Sequence, residues 1–440
     1  MLKRFKVENF SSYKDINYLD FTAGKSTSHK NHLVDFNRVK ILKSAIIYGA
    51  NASGKSNLIK AIEYAKDIIQ DNLKNIDTQK KYFRLDKISI KKPTQFEFEL
   101  EIDNRFYSYG FSTILQNKKI QEEWLYEIGN SSGELIFERE LNQIKLGKIL
   151  NKKPIKDRFD IYIDDMKNQS HQLFLSEIAN KNLDNKEVEI INNIYNWFDN
   201  KLLILYPNTK YGNLSSIGSD DNLSKVFKKY LKTFDTGIID ISSIEEDFEQ
   251  TFKEFPQEIK IDIEKDLSED INEKIILRNS SGLFVTIYKD KNSELKIKKL
   301  GLIHNKEIDD IFELEDESDG TKRLFDLIPL ITKFNDDYTI IIDEFDRSLH
   351  PILTKGFFEL FYRENTKKSQ LIVTSHESTL LDLDLVRKDE IWFVEKNRGG
   401  ESKLYPLSRF KVRYDKKIKQ AYILGRYGAI PIFKQMDMED

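Results

Sequence analysis

Cysteine is absent from the 440 residues, which removes disulfides, thiol chemistry and cysteine-ligated zinc together and fits, without requiring, a reducing cytoplasm. No apolar run approaches the roughly 18 residues of a membrane span, and the opening Met1-Leu2-Lys3-Arg4-Phe5-Lys6 lacks the apolar core of a signal peptide. An excess of one charge is lacking too. With 70 basic and 73 acidic residues the formal net charge is −3, so no global basic field announces nucleic acid, although local patches remain open. Sustained heptads are missing, which argues against a long coiled coil. What is left is a soluble globular chain, and 39% hydrophobic residues over this length are enough for two or three cored domains.

The most informative stretch present is Gly49-Ala50-Asn51-Ala52-Ser53-Gly54-Lys55-Ser56, which meets the G-x-x-x-x-G-K-[ST] pattern of a phosphate-binding loop. Before it, Ser44 to Tyr48 is short and largely apolar and reads as a buried strand. After it, Leu58, Ile59 and Ile62 take the spacing of a helix face. Glycines let successive N–H groups curl inward on a phosphate, and the helix adds the positive end of its dipole. Lys55 is therefore expected at the β/γ-phosphates and Ser56 on Mg²⁺, with Gly49, Asn51, Ala52, Ser53, Gly54 and Asn57 forming the rest of the phosphate cradle, which alone would fit a kinase, a GTPase or many ATPases. A second string, Gly24-Lys25-Ser26, has Leu19 where the first glycine should stand, and reads as loop.

Around the loop the pattern predicts an α/β chain. Strands are expected at Leu2–Phe10, near Tyr18–Phe21, over Gln121–Ile128, and as a hairpin from Thr94 to Ile114 turning at Asp103-Asn104. Residues 1–129 are one segment. Residues 130–280 read as a mainly helical insertion, with helices at Gln172–Asn180 and Val188–Trp197 and a polar break at Asn208–Asp221. Residues 281–440 return to strands at Leu283–Tyr288, Leu295–Leu300, Tyr338–Ile342, Leu371–Thr374 and Glu390–Val394, with helices at Arg323–Ile328 and Leu353–Tyr362. Strand–helix alternation argues a parallel sheet covered on both faces.

Two acidic residues at the end of the buried strand at 338–342 narrow the chemistry. Asp343 stands at its C-terminal end, where α/β sheets place ligand groups, and is expected to hold Mg²⁺, while Glu344 polarises the attacking water. The bland alternative is a strand ending in two solvated acids. His376 lies just past the next strand and can hydrogen-bond a γ-phosphate or its attacking water. Ser318 and Gly320, before the helix at 323–328, supply a hydroxyl and N–H groups at a helix start, which is equally the pattern of an ordinary serine N-cap.

The phosphate loop, Ser318-x-Gly320-Thr321, the apolar run into Asp343-Glu344, Asp346 through Leu349-His350-Pro351, and His376 stand in the order of the ABC-type ATPases. The chain resembles the RecF/SMC-like branch that includes OLD-family ATPases, through Val7-Glu8-Asn9-Phe10. It resembles most the bacterial abortive-infection ATPases of the AbiLi/RloA kind, through Glu390 to Lys396 and Tyr422 to Pro431. The resemblance implies an ABC-type ATPase head of mixed sheet and flanking helices, with residues 1–129 as its N-terminal half and 281–440 as its C-terminal half, working as a homodimer or higher homo-oligomer. Ser318 and Gly320 of one subunit would cap ATP held by Lys55 and Ser56 of the other, with Asp346 near the seam. Gln95 is the candidate for the family's glutamine loop, with an exposed hairpin residue as the alternative.

The chain ends too soon after His376 for the Toprim nuclease of OLD-type proteins, so the implied role is a sensor or scaffold controlling a separate effector, plausibly a nuclease encoded nearby, in anti-phage defence. A second reading is a RecF-like repair ATPase that clamps DNA, for which Lys145, Lys148, Lys152, Lys153, Lys156 and Arg158 are the densest basic run near the insertion, with a solvated lysine-rich loop as the alternative. A third gives the insertion and the Gly425–Pro431 run a docking role. His29-x-x-His32 has metal-ligand spacing but lies in a polar loop without evident further ligands.

Overall fold

The computed structural model describes residues 1–36, 39–129, 133–153, 155–181, 183, 185–210, 217, 220–253, 257–267, 274–278, 284–290, 292–307, 310–411 and 418–430. The chain divides into two compact units. The first comprises Met1–Pro207, Lys333–Arg347 and Thr354–Asp440, and the second Asn208–Thr332 and Ser348–Leu353.

Two large sheets and a two-stranded one build the first unit. One is antiparallel, made of β1 (Leu2–Glu8), β2 (Asn17–Asp20), β6 (Thr94–Ile102), β7 (Arg105–Ile114), β8 (Lys119–Ile128), β9 (Glu134–Glu140) and β10 (Gln143–Leu146), in the order β10-β9-β8-β7-β6-β1-β2. Its central hairpin turns where expected, because Asp103 and Asn104 accept φ of 52° and 62°, the left-handed pair that a two-residue turn needs. Between these strands in sequence lie the small hairpin of β3 (Leu33–Phe36) and β4 (Val39–Leu42), then β5 (Ser44–Gly49) and α1 (Lys55–Gln70). On α1 the buried Leu58, Ile59, Ile62, Ala65 and Ile69 fall at three- and four-residue intervals, so one stripe of the helix enters the core.

The second sheet of this unit carries the site. Its strands are β5, β11 (Leu202–Leu205), β17 (Thr339–Ile342), β18 (Gln370–Thr374), β19 (Ile391–Lys396) and β20 (Ser402–Pro406), in the order β11-β17-β18-β5-β19-β20. All neighbours run parallel except the β19–β20 hairpin. Every residue of β5, β17 and β18 is buried, as strands of a parallel sheet are. Gln370 ties the two sheets together: its side chain accepts the Leu2 N–H at 2.6 Å and donates to the Leu2 carbonyl at 2.8 Å. The helices α2 (Ile155–Met166), α3 (Phe174–Asn180) and α4 (Glu189–Asn196) also belong to this unit. Glu123, fully buried on β8, caps α3 from a distance by accepting the Phe174 and Leu175 N–H groups at 2.6 and 2.9 Å.

The second unit holds α5 (Asp221–Thr233), β12 (Asp240–Asp247), α6 (Phe248–Thr251), α7 (Gln257–Asp266), β13 (Lys274–Arg278), β14 (Phe284–Lys289), β15 (Leu295–Ile303), β16 (Phe312–Glu313) and α8 (Asp319–Ile331). Its sheet has the order β12-β15-β14-β13, with β16 on β15. After it come α9 (Pro351–Glu364) and α10 (Ile418–Ile423).

The stretch 130–280 is therefore not one inserted body. Helices do hold more of its described residues than strands, but β9 and β10 extend the first antiparallel sheet and β11 edges the parallel one. The division falls instead at 207/208 and 332/333. Short strands with half-exposed, charge-rich faces such as Gln143-Ile144-Lys145-Leu146 give a weak period-2 signal, which is why they escape notice beside amphipathic helices. Among the described residues no helix is long and apolar enough to cross a membrane.

Candidate functional site

β5 delivers the chain into the phosphate loop. Ala52 takes φ of 61° and Gly54 φ of 119°. A Cβ on Gly49 would stand 2.5 Å from Ser53 Oγ, and one on Gly54 2.9 Å from Ser12 Oγ, so close approach demands glycine at both positions and positive φ demands it again at Gly54. No side chain caps α1, which leaves the N–H groups of its first turn directed at the loop's interior. Ser53 Oγ is buried with no hydrogen-bond partner among the described residues. The ammonium of Lys55 lies on the Gly49 and Ala50 carbonyl oxygens at 2.8 and 3.3 Å. Burial pulls its pKa below the usual lysine value, while Asp343, Asp346 and Glu344 pull it back up.

The acidic residues arrive from β17. Asp343 is buried, and one of its carboxylate oxygens accepts the Thr374 hydroxyl at 2.5 Å. The same hydroxyl oxygen accepts the Glu344 N–H at 2.8 Å, and the Phe345 N–H donates to the Thr374 carbonyl at 3.0 Å. Thr374, the last residue of β18, thus fixes the first three residues beyond β17. It holds Glu344 at φ of 46°, a left-handed conformation that costs a non-glycine residue on the order of 1–3 kcal/mol and persists only where neighbours impose it.

His376 lies just past the same strand, and its N–H is shared between the two oxygens of Asp346 at 3.2 Å each. Although the ring is open to solvent, the protein around it disfavours the charged form, and the Lys55 ammonium acts in the same direction. Asp346, Glu344 and Asp343 oppose them without reversing the outcome, so its pKa is lowered and the imidazole is neutral near neutral pH.

Asn51, Ala52, Ser53, Gly54, Lys55, Ser56 and Asn57 line one cavity of about 430 Å³ together with Glu344, His376 and Lys396. Asp343, the residue before Glu344, is not among the lining residues. Ser318 and Gly320 are placed in the second unit: Ser318 Oγ accepts the Thr321 N–H at 3.1 Å as the N-cap of α8. Gln95 does not line this cavity. It pairs with Glu8 and Ser112 across the antiparallel sheet and borders a separate space with Glu122, Trp124 and Glu138, so the glutamine-loop expectation loses its candidate. His29 and His32 are engaged with protein, His29 on the Leu383 carbonyl at 2.7 Å and His32 on Glu390 at 3.0 Å. Among the described residues no group of three or more His, Asp or Glu could hold a metal ion. The Gly425-Arg426-Tyr427-Gly428 turn packs back on the sheet, with Tyr427 and Tyr422 stacked on Phe393; Pro431 lies outside the described residues.

Four residues at or behind the cavity escaped sequence reasoning. Lys396 could have been found, because it ends a recognisable parallel strand, the place where such sheets present ligand groups. Ser12, Tyr13 and Ser402 carried no motif. Tyr13 donates to the Gly54 carbonyl at 3.0 Å, and Ser402 Oγ lies 2.5 Å from the Ser53 carbonyl oxygen and 2.7 Å from Ser12 Oγ.

Residues 44–382 match a family described as "AAA domain, putative AbiEii toxin, Type IV TA system". No curated protein matches the chain. Among solved structures it is similar to an SMC head bound to the C-winged helix domain of ScpA, at 15% identity and a TM-score of 0.42 over 95% of this chain and 99% of that one. It is similar also to the SMC head domain from Thermotoga maritima, at 12% identity and a TM-score of 0.36 over 92% and 98%.

Proposed function

The chain belongs to this AAA-domain family, and on that premise we propose that it binds ATP with Mg²⁺ and hydrolyses the β–γ linkage, as the sensor or scaffold of an anti-phage system in the cytoplasm. The observation that carries the reading is the convergence at one cavity. Adjacent strands β17, β18, β5 and β19 lead there to Glu344, His376, the phosphate loop and Lys396.

The residues fit the ligand. The unpartnered Ser53 hydroxyl, the glycine positions a Cβ would fill and the uncapped helix together form a donor-rich concavity, the chemistry a polyphosphate requires. Lys55 would exchange the Gly49 and Ala50 carbonyls for the β- and γ-phosphates. Ser56 and Asp343 would hold Mg²⁺, which when bound draws charge from the phosphate oxygens. Glu344 orients a water on the γ-phosphorus and takes its proton as the bond to the ADP oxygen breaks. His376 would donate a ring N–H to the γ-phosphate or to that water.

Each chain carries one phosphate loop and one Ser318-x-Gly320. We place Ser318 and Gly320 of one chain over ATP held by another, so that ATP joins two copies and hydrolysis releases them to signal a separate effector encoded nearby. Light scattering of Glu344→Gln with and without Mg-ATP, beside Lys55→Ala, tests this. Mass should rise with ATP in Glu344→Gln alone; a mass that is indifferent to ATP in both contradicts the joining role.

A further inference from the structure

Two carbonyls of the phosphate loop are held from behind by side chains that come from opposite ends of the chain. Ser402 Oγ, at the start of β20, lies 2.5 Å from the Ser53 carbonyl oxygen. The Tyr13 hydroxyl, in the turn after β1, donates to the Gly54 carbonyl at 3.0 Å. Ser12 completes the cluster: its Oγ is 2.7 Å from Ser402 Oγ and accepts the Asn57 side-chain N–H at 2.8 Å. The backbone of Ser402 donates to the Ser12 carbonyl as well, at 2.7 Å. Ser12, Tyr13 and Ser402 are all buried. Asn9, at φ of 52°, sets the start of this turn by giving its side-chain N–H to the Ser89 and Lys92 carbonyls at 2.9 and 3.0 Å.

A trans peptide points its C=O and its N–H in opposite directions. The Ser53 carbonyl shares a peptide with the Gly54 N–H, and the Gly54 carbonyl shares one with the Lys55 N–H. Pinning both oxygens outward therefore aims both N–H groups inward. We propose that Ser402 and Tyr13 are positioning residues of the nucleotide site, a clamp that presets the Gly54 and Lys55 N–H groups to receive the β-phosphate before any ligand arrives. The inference rests on the ATP-binding reading above and deepens it.

Two features distinguish a clamp from ordinary packing. The acceptors are loop carbonyls, each sharing its peptide with one of the two N–H groups named above. The Gly54 carbonyl also accepts the Leu58 N–H at 3.1 Å as the first bond of α1, so Tyr13 adds to a restraint the helix begins, whereas Ser402 acts on the Ser53 carbonyl ahead of the helix. The Tyr13 phenol is pushed far above its usual pKa by burial, so it remains a donor at any pH at which the protein is handled. The need for glycine at 54 has the same origin, because the clamp approaches so closely that a Cβ there would overlap Ser402 Oγ.

The test measures the affinities of AMP and ADP by competition against a fluorescent ATP analogue, in the full chain, for wild type, Ser402→Ala and Tyr13→Phe. AMP lacks the β-phosphate, so a lost clamp should weaken ADP about tenfold and AMP little, which lowers the preference for ADP by the same factor in both variants. Equal weakening of both nucleotides, or no change in either variant, overturns the clamp. Tyr13→Phe keeps the ring and the core contacts, so it decides the matter should Ser402→Ala not fold. A wild-type chain that binds neither ADP nor ATP overturns the underlying reading itself.

Discussion

Thr374→Val is the most informative single substitution, because it removes one oxygen atom and almost no volume. That oxygen accepts the Glu344 N–H and donates to Asp343, in a side chain with no solvent exposure. An N–H left without a partner costs on the order of 1–3 kcal/mol, and the bond to a carboxylate is of the stronger, charge-assisted kind. Valine refills the space, so no cavity term is added, and a net loss of about 2–4 kcal/mol in unfolding free energy is expected. The larger effect should fall on turnover. Glu344 is held at φ of 46° by this bond, and once released its peptide can relax toward a commoner conformation. Displacement of a catalytic carboxylate by about 1 Å costs about a hundredfold in rate. Steady-state phosphate release should therefore show kcat down about a hundredfold with KM changed much less, while Thr374→Ser, which keeps the oxygen, stays near wild type. A Thr374→Val protein turning over within about threefold of wild type would refute the claim that β18 positions Glu344.

The same contacts carry other expectations. Gly54→Ala brings a Cβ against Ser12 and Ser402 at φ of 119°, so nucleotide affinity measured by calorimetry should fall at least about a hundredfold; binding at the wild-type level would mean the loop is not held as described. Glu123→Ala strips the acceptor from the Phe174 and Leu175 N–H groups and the Tyr109 hydroxyl, and urea unfolding should register a loss of about 2–4 kcal/mol; an unchanged midpoint would show α3 needs no such cap. The His376 pKa sits below its ordinary 6.5, so the unfolded chain takes up the proton first. Its share of stability is therefore whole above about pH 6.5 and is lost as pH falls through the folded value. An NMR titration should find its midpoint below that of a free histidine, and moving upward in Lys55→Met, where a cation is gone. A midpoint that does not move would remove Lys55 as a cause.

How much of this was legible depended on whether the information was local. Eight consecutive residues specify the phosphate loop, and its strand and helix could be read from Ala45-Ile46-Ile47 and Leu58/Ile59/Ile62. The Thr94–Ile114 hairpin announced itself through alternation and through Asp103-Asn104 at the turn. Asp343-Glu344 and His376 could be placed because each ends a continuous apolar run, the mark of a strand buried on both faces. The five-stranded sheet of the second unit was only partly visible. β12 reads Asp-Ile-Ser-Ser-Ile-Glu-Glu-Asp, hardly a strand by propensity, and is set by its antiparallel pairing with β15, across which Lys299 reaches Glu246 at 3.0 Å. α8 runs through Pro329 to Ile331, beyond the Ile328 stop that a proline suggests. Ser402 was invisible for a different reason. Its partners Ser12 and Ser53 are 390 and 349 residues away in sequence, and no short motif encodes such a meeting.

The central claim is that Lys55 holds ATP and Glu344 cleaves it at one cavity. The most direct measurement is the nucleotide retained and released by wild type, Lys55→Ala and Glu344→Gln after incubation with Mg-ATP, separated by chromatography. Wild type should yield ADP and phosphate, Lys55→Ala should retain nothing, and Glu344→Gln should retain intact ATP. ADP formed by Glu344→Gln at the wild-type rate, or ATP retained equally by Lys55→Ala, would contradict the account.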